Sequence, residues 1–149
     1  MNKLNKFYKN KKILITGHTG FKGSWLSCIL NHFGAKVYGV SDGKVESLLY
    51  KKKIVKYESQ FFFDLKNLSN TKELICNLKP DIIFHLAAQS IVSESFKNPL
   101  QTINSNVIGS ANILETSRKN RIKNLVYITS DKCYLNDGRK NAYKEYDKL

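Results

Sequence analysis

Three glycines at three-residue intervals constrain this chain more than any other feature of its sequence. Gly17, Gly20 and Gly23 stand between the apolar run 13–15 and the segment 24–33, whose apolar residues recur at helical spacing. Glycine allows a tight turn and lets the backbone approach a phosphate, and the N–H groups of a helix's first turn attract anions. The stretch therefore predicts a strand, a phosphate-binding turn and a helix, with an ordinary strand-to-helix turn as the alternative.

The rest of the chain alternates apolar, strand-like runs with helical patterns. We predict strands over 13–16, 35–40, 61–63, 82–86 and 125–129, and helices over 21–33, 70–78 and 100–114. This alternation is typical of an α/β fold with a doubly wound parallel sheet, Rossmann-like, in strand order 3-2-1-4-5.

Several local features refine this prediction. Gly34 is in the usual position to end the first helix. The run Phe61–Phe63 is typical of a strand buried on both faces. Asn70 or Thr71 is expected to cap the next helix. Residues 1–12 are predicted to be a polar lead-in, and 45–57 a short helical or irregular connection.

Length and composition indicate one domain with its own core. The 149 residues are 42% hydrophobic and 25% charged, as in soluble globular proteins. The basic start MNKLNKFYKNKK lacks the apolar segment of a signal peptide, so we expect a cytoplasmic protein. The three cysteines form no C-x-x-C pair, so neither a disulfide framework nor a metal site is expected.

A formal net charge of +13 raises nucleic acid or an anionic membrane as partners. The basic residues are almost all lysines scattered along the sequence, with dense runs only at 9–12 and 51–53. Arginine is rare, and no aromatic residues are interleaved as stacking platforms. We therefore predict solvated lysines, with no nucleic acid and no membrane as partner. An anionic, nucleotide-bearing substrate also suits this charge.

Further candidate site residues follow other strands. Asp42 lies about 20 residues beyond the glycine turn, where dinucleotide folds place an acid on the adenosine ribose. That acid favours NAD over NADP, whereas a simple Asp-Gly turn is the alternative. Asp64 and Leu65 follow strand three, in position to lie beside the adenine. Ala87 and Ala88 follow strand four and leave room for the dinucleotide.

Other polar residues allow two interpretations each. His85 lies within an apolar run, where core packing is favoured over catalysis. Asn106 lies within the long helical pattern, either exposed or bonded to backbone groups or a water behind the active site. Strand five is followed by Ser130, Asp131 and Lys132, which form either a functional site or merely a polar turn. Ligands of open α/β sheets bind outside the carboxyl ends of the strands, where these candidates map.

At GHTGFKGSW and TSDKCY the sequence resembles the extended short-chain dehydrogenase/reductase superfamily, and within it the CDP-glucose 4,6-dehydratases. The resemblance covers essentially the whole chain, including IIFHLAAQ. Lys132 is the residue most specific to the CDP-glucose enzymes. It implies a homodimer when full length, formed in part by the helix after Asn98. It also implies that NAD is bound by Gly17, Thr19, Gly20, Phe21, Gly23, Asp42, Asp64, Leu65, Ala87, Ala88 and Asn106.

The resemblance further implies an internal redox cycle on a nucleotide sugar, in deoxysugar synthesis for surface polysaccharide. NAD would take hydride from C4 of CDP-glucose, water would be lost across C5 and C6, and the hydride would return to C6. Ser130 would bind the sugar oxygen, Asp131 would act as the acid and Lys132 as the base. Burial under substrate favours both roles, whereas pairing of the two adjacent charges opposes them.

The superfamily's hydride step also uses a Tyr-x-x-x-Lys pair after strand five. None of Tyr134, Tyr143 and Tyr146 is followed by a lysine four residues later. We therefore expect residues 1–149 to be an incomplete NAD-binding domain, inactive alone and lacking the substrate-binding part, with strand five as an exposed edge. Another nucleotide-sugar epimerase or dehydratase and a non-catalytic dinucleotide-binding module are the rival hypotheses.

Overall fold

The computed structural model describes residues 3–130 and 133–149. Its strands are β1 (Lys12–Thr16), β2 (Lys36–Ser41), β3 (Ser59–Phe62), β4 (Ile82–His85) and β5 (Asn124–Tyr127). Its helices are α1 (Lys3–Tyr8), α2 (Phe21–His32), α3 (Leu48–Lys51), α4 (Leu68–Leu78), α5 (Val92–Lys97), α6 (Pro99–Ile103) and α7 (Gly109–Lys119). A π-helical turn over Asn104–Ile108 joins α6 to α7.

The five strands form one parallel sheet in the order β3-β2-β1-β4-β5, which confirms the predicted fold. All strands therefore end at the same side of the sheet. We call this side the carboxyl edge; it comprises the loops 17–20, 42–47, 63–67, 86–91 and 128–130. The opposite side is the amino edge; it comprises the loops 9–11, 33–35, 52–58, 79–81 and 120–123.

Alternate residues of β1 supply two separate cores, one on each face of the sheet. Ile13 and Ile15 pack with Leu30 of α2 on one face. Leu14 faces the other way and packs with residues of α4 and α7, among them Ile75 and Ile113. All six side chains are essentially buried. Because full burial of such a side chain is worth about 1.5–3 kcal/mol, β1 anchors both layers of helices.

Helix α2 ends as predicted, at a glycine. Gly34 has a φ of +77°, and its N–H donates to the Asn31 carbonyl at 2.9 Å. The next N–H, of Ala35, donates to the Leu30 carbonyl at 3.0 Å. These bonds close the helix and turn the chain directly into β2.

The prediction that Phe61–Phe63 is buried on both faces is wrong. In the described structure β3 pairs with β2 alone, and the Phe62 side chain is 55% exposed. Phe61 and Phe63 pack on the core beside α4, while Phe62 points to the opposite face. A continuous apolar run therefore marks an edge strand here, covered by a helix on one face only.

Two helical boundaries also differ from the prediction. Asn67, rather than Asn70 or Thr71, caps α4, since its side-chain oxygen accepts the Asn70 N–H at 3.1 Å. The long pattern over 100–114 is divided into α6, the π-helical turn and α7.

The polar lead-in contains the short helix α1. Among the helices of the described ranges, none is long and apolar enough to cross a membrane.

Candidate functional site

The glycine-rich turn is held between β1, α2 and β4 at backbone contact distance. A Cβ atom at Gly17, whose φ is +70°, would lie 2.9 Å from Cα of Ala87. A Cβ atom at Gly23 would lie 2.2 Å from the Gly17 carbonyl oxygen. At Gly20 the one close atom is the same oxygen, at 3.3 Å, and the remaining space is open. Gly17 and Gly23 thus serve packing, and Gly20 faces the space a ligand could take.

The start of α2 presents backbone N–H groups to that space. Gly20 is its N-cap residue, in an extended conformation and without a side-chain cap bond. The first N–H groups of a helix have no partner within it, and the helix dipole adds positive potential there. Phe21, 73% exposed, stands at the same end. This cradle fits the pyrophosphate of a dinucleotide.

A buried polar chain supports the loop facing Gly17. The Thr16 hydroxyl accepts the Leu86 and Ala87 N–H groups at 3.1 and 3.0 Å, so its own proton donates to Nδ1 of His85, at 2.7 Å. The His85 proton then lies on Nε2 and donates to Oγ of Ser110, at 2.9 Å. Burial lowers the pKa of His85 to about 4, so the ring is neutral at pH 7.

His85 therefore packs in the core, as expected, and positions Ala87 rather than acting on a substrate. Sequence reasoning missed Thr16 and Ser110 as its partners. A hydroxyl at the end of a strand and another on a helix carry no sequence signal for a shared histidine.

Thr19 binds the neighbouring strand rather than facing the open side of the turn. Its side chain is 3% exposed and its hydroxyl donates to Oγ of Ser41 at 3.2 Å. Its carbonyl accepts the Ser47 N–H at 2.7 Å. The loop after β2 is therefore attached to the glycine turn at two points.

His18 explains why β2 needs a glycine. A Cβ atom at Gly39 would lie 2.3 Å from the buried His18 ring. Its Nε2 lies 3.0 Å from Oε1 of Gln60, and the ring packs edge-on against Tyr57. Burial lowers the pKa of His18 despite hydrogen bonding, so this ring also favours the neutral state.

Asp42 lies at the carboxyl edge, one residue beyond β2. Its Oδ1 accepts the Lys44 N–H at 3.1 Å, and its Oδ2 lies 3.4 Å from Nζ of Lys44. Gly43 has a φ of +73°, so the residues do form an Asp-Gly turn. The carboxylate stays 42% exposed and keeps capacity for further donors, such as ribose hydroxyls.

Asp64 and Leu65 follow β3 at the same edge. Partial burial raises the pKa of Asp64, but the N–H and ammonium of Lys66, 3.0 and 3.1 Å away, together bring it below its ordinary value. The Leu65 side chain is buried in the core, and its carbonyl accepts the Asn112 side-chain amide at 2.9 Å. Leu65 can therefore offer a ligand its backbone, not its side chain.

Asn106 binds backbone groups, which is one of the alternatives left open by the sequence. Its Oδ1 accepts the Gln89 N–H at 2.7 Å, and its Nδ2 donates to the Gln89 carbonyl at 2.8 Å. It lies in the π-helical turn, a feature that occurs frequently at functional sites. Asn106 thereby fixes the loop that contains Ala87 and Ala88.

The predicted acid-base residues are described only in part. Ser130 is exposed and follows β5 at the carboxyl edge. Asp131 and Lys132 lie outside the described residues. The following segment forms a cluster of its own, in which Arg139 lies 4.2 Å from the Tyr143 ring centre and pairs with Asp147 at 2.8 Å.

The described residues add neither a Tyr-x-x-x-Lys pair nor a metal site to the region around the glycine turn. Tyr8 and Lys12 have the Tyr-x-x-x-Lys spacing, but they lie at the amino ends of the strands, away from the glycine turn. Within the described residues, no group of His, Cys, Asp and Glu side chains could hold a metal ion.

The fold and the site define a doubly wound α/β domain with a dinucleotide-type glycine turn. A family profile described as GDP-mannose 4,6 dehydratase matches residues 14–146. The chain belongs to this family of nucleotide-sugar dehydratases and their epimerase relatives.

The similarity extends to curated and solved proteins. The chain is 38% identical to CDP-glucose 4,6-dehydratase of Salmonella typhimurium over 96% of its own length and 41% of that protein. It is similar to the epimerase Mth375 of Methanothermobacter thermautotrophicus, with a TM-score of 0.80 and 27% identity, over 97% and 42% of the two chains.

The UDP-glucose 4-epimerase of Stenotrophomonas maltophila, solved with bound NAD and formylated UDP-arabinopyranose, shares the fold. Its TM-score is 0.80 at 24% identity, over 94% of this chain and 43% of that one. The chain thus spans less than half the length of these relatives.

Proposed function

We propose that this chain is the NAD-binding part of a cytoplasmic nucleotide-sugar 4,6-dehydratase acting on CDP-glucose in deoxysugar synthesis. The observation that carries the proposal is the glycine turn, where Gly17 and Gly23 pack backbone against backbone while Gly20 leaves open space before the uncapped start of α2. Solved neighbours with bound NAD support the cofactor.

Bound NAD supplies reversible hydride transfer to and from the sugar. The chain's own contribution is to hold the pyrophosphate at the N–H groups of α2 and to offer the Asp42 carboxylate to ribose hydroxyls. A 2′-phosphate beside Asp42 would meet a like charge, which favours NAD over NADP.

The finer assignment to CDP-glucose rests on Lys132 and on the similarity across nearly the whole chain to the Salmonella enzyme. In the proposed reaction Ser130 hydrogen-bonds the oxygen on the sugar's C4. Asp131 donates a proton to the departing C6 hydroxyl, and Lys132 removes the C5 proton. Strand β5, which leads into these residues, is held in the sheet by its pairing with β4.

The cofactor proposal is tested by titrating the chain with NAD and following binding by calorimetry. Gly20→Ala places a methyl group in the open space of the cradle and should weaken NAD binding about tenfold or more, because a single lost phosphate contact costs about 1.5–3 kcal/mol. Lys36→Ala changes an exposed side chain at the amino end of β2, on the opposite edge from the turn, and should leave the affinity unchanged. Equal affinities for all three proteins would contradict the proposal.

The substrate proposal is tested in a chimera in which this chain replaces the matching part of the Salmonella CDP-glucose 4,6-dehydratase. Supplied with CDP-glucose, the chimera should release a 4-keto-6-deoxy product, detected by mass spectrometry as the loss of one water. Lys132→Ala should abolish that product, whereas Lys140→Ala, in the exposed loop nearby, should not.

An epimerase activity is the second candidate, supported by the solved epimerases of the same fold. The same chimera distinguishes the two, because an epimerase inverts a sugar carbon without loss of water. Inversion of a supplied nucleotide sugar, with no dehydrated product from CDP-glucose, would favour the epimerase.

A homodimer of the full-length protein belongs to the same proposal. Large apolar side chains are exposed along α5, α6 and the π-helical turn, among them Phe96, Leu100 and Val107 at 82%, 75% and 57%. Contiguous exposed apolar surface of this kind is typical of a protein–protein interface. Sedimentation should show a dimer that Leu100→Asp reduces to monomer.

A further inference from the structure

Lysines that are scattered in the sequence are gathered in space at the amino edge of the sheet. Each loop that leads into β1, β3, β4 or β5 carries at least one basic residue, and β2 begins with one. The exposed cations at this edge are Lys9, Lys12, Lys36, Lys52, Lys53, Lys56, Lys79, Arg121 and Lys123.

The opposite edge has a smaller excess. In the described loops of the carboxyl edge the basic residues are Lys44 and Lys66, and each is paired with an aspartate, at 3.4 and 3.1 Å. One further exposed cation, Lys22, stands in the first turn of α2 beside the glycine turn. At the amino edge the acids are Glu58 and Asp81, of which Asp81 is paired with Lys11 at 3.6 Å. The chain's positive charge is therefore directed to one side of the molecule.

Helix dipoles account for only part of this distribution. Cations near helix C-termini stabilise the dipole mainly within the last turn. The last turn of α7 carries Arg118 and Lys119, and Lys52 and Lys79 cap α3 and α4, whereas the last turn of α2 carries His32 alone. Lys36, Lys56 and Lys123 instead stand at or just before the strands that follow the helices.

Exposed apolar side chains accompany the lysines. Phe7, on α1 at the entry to β1, is 53% exposed, and Ile54 is 55% exposed. Ile54 lines a groove of about 510 Å³ together with Asn10, Lys36, Lys56 and Glu58. The Lys56 N–H donates to the side chain of Asn31 at 2.8 Å, which fixes the loop against α2.

We propose that the amino edge docks on an anionic phospholipid surface, with the lysines facing the headgroups and Phe7 and Ile54 inserting among them. Basic clusters next to exposed apolar side chains are the combination that holds proteins at such interfaces. The docking leaves the carboxyl edge, with its glycine turn, facing away from the lipid. This proposal departs from the sequence-based expectation that the lysines are solvated and that a membrane is not a partner.

Lipid fits this surface better than nucleic acid does. The cations are nearly all lysines, which act as point charges, and arginine is the residue suited to bidentate phosphate recognition. Of the two exposed apolar residues, Phe7 alone has an aromatic ring on which a base could stack. A duplex DNA of random sequence serves as the competing ligand in the test.

The test is co-sedimentation of the chain with vesicles of phosphatidylglycerol and phosphatidylcholine at low and moderate salt. The chain should bind the anionic vesicles, should bind pure phosphatidylcholine at least about tenfold more weakly, and should be released as salt rises. DNA should bind less tightly than the anionic vesicles at the same salt.

Matched charge reversals locate the surface. Lys36→Glu with Lys123→Glu should weaken binding to anionic vesicles at least about tenfold. Lys72→Glu with Lys97→Glu makes the same change in net charge on α4 and α5, away from the amino edge, and should weaken it far less. Equal losses in the two double variants would mean attraction by net charge alone and would overturn the proposal.

A second pair of variants tests insertion. Phe7→Ser should weaken vesicle binding about fivefold, because it removes apolar area that would enter the interface. Phe62→Ser removes a side chain of similar exposure at the carboxyl end of β3, on the opposite edge, and should leave binding unchanged. Tighter binding to DNA, or equal binding to neutral vesicles, would also overturn the proposal. Each variant's circular dichroism should match that of the unaltered chain.

Discussion

The carboxyl edge of the sheet is built from glycine, alanine and buried hydroxyl groups, whereas the amino edge is built from exposed lysines. At the carboxyl edge, backbones approach so closely that a methyl group on Gly23 would meet the Gly17 carbonyl oxygen at 2.2 Å. At the amino edge the side chains extend into water. Close backbone packing therefore determines which residues the carboxyl edge tolerates, whereas positive charge is the main property of the amino edge.

The largest expected effect follows from adding one methyl group at the carboxyl edge. Gly23→Ala should lower the free energy of unfolding by about 3 kcal/mol or more, since the clashing atom belongs to the backbone and cannot rotate away. Urea denaturation measures the loss. Lys36→Ala, at the amino edge, should change stability by about 0.5 kcal/mol or less. Similar losses for both variants would remove the contrast between the edges.

The buried histidine of the carboxyl edge should make stability depend on pH. His85 has a pKa of about 4 when folded, against 6.5 when unfolded, so between these values only the unfolded state is protonated. Stability should be complete above pH 6.5 and should fall by about 3 kcal/mol as the pH drops to 4. The lowered pKa of His18 acts in the same direction.

Denaturation curves between pH 4 and 7 check this dependence. His85→Gln should flatten the slope while lowering stability overall, because Thr16 and Ser110 lose a buried partner. Gln101→Ala changes an exposed residue that carries no titrating group and should leave the slope as it is. An unchanged slope in His85→Gln would contradict the prediction.

Replacing one aspartate at each edge compares the two edges in dinucleotide binding. Asp42→Ala should weaken NAD binding about tenfold and should narrow the preference for NAD over NADP, because hydrogen bonds to a charged group are worth about 1.5–3 kcal/mol. Asp81→Ala removes an aspartate at the amino edge and should leave both affinities unchanged. Calorimetric titration of each variant measures the effect.

The smallest effect is expected for an ion pair of the amino edge. Lys11 and Asp81 lie 3.6 Å apart, with both side chains more than 40% exposed. Lys11→Met should change stability by less than about 1 kcal/mol, because water and salt screen such pairs. A larger loss in thermal unfolding would show that this edge also depends on specific contacts.

The sequence predicted the features that depend on neighbours along the chain. Periodicity located the strands, and the spacing of Gly17, Gly20 and Gly23 located the turn. The helix end at Gly34 was also predicted, because its αL conformation depends on local geometry alone.

Features that depend on distant pairs were not predicted. The chain Thr16–His85–Ser110 joins residues far apart in sequence. For Asn106 the sequence offered backbone binding as one of two alternatives but not its partner, Gln89, which lies 17 positions away. The gathering of lysines at one edge requires the topology, since the loops leading into the strands are adjacent only in the folded sheet. The exposure of Phe62 likewise depends on β3 being an edge strand, which composition does not reveal.

The measurement that tests the central claim most directly is calorimetric titration of the unaltered chain with NAD and NADP under the same conditions. We expect saturable binding of one NAD per chain and clearly weaker binding of NADP, because the carboxylate of Asp42 repels the 2′-phosphate. No binding of either dinucleotide, or a preference for NADP, would contradict the assignment of the carboxyl edge as an NAD site.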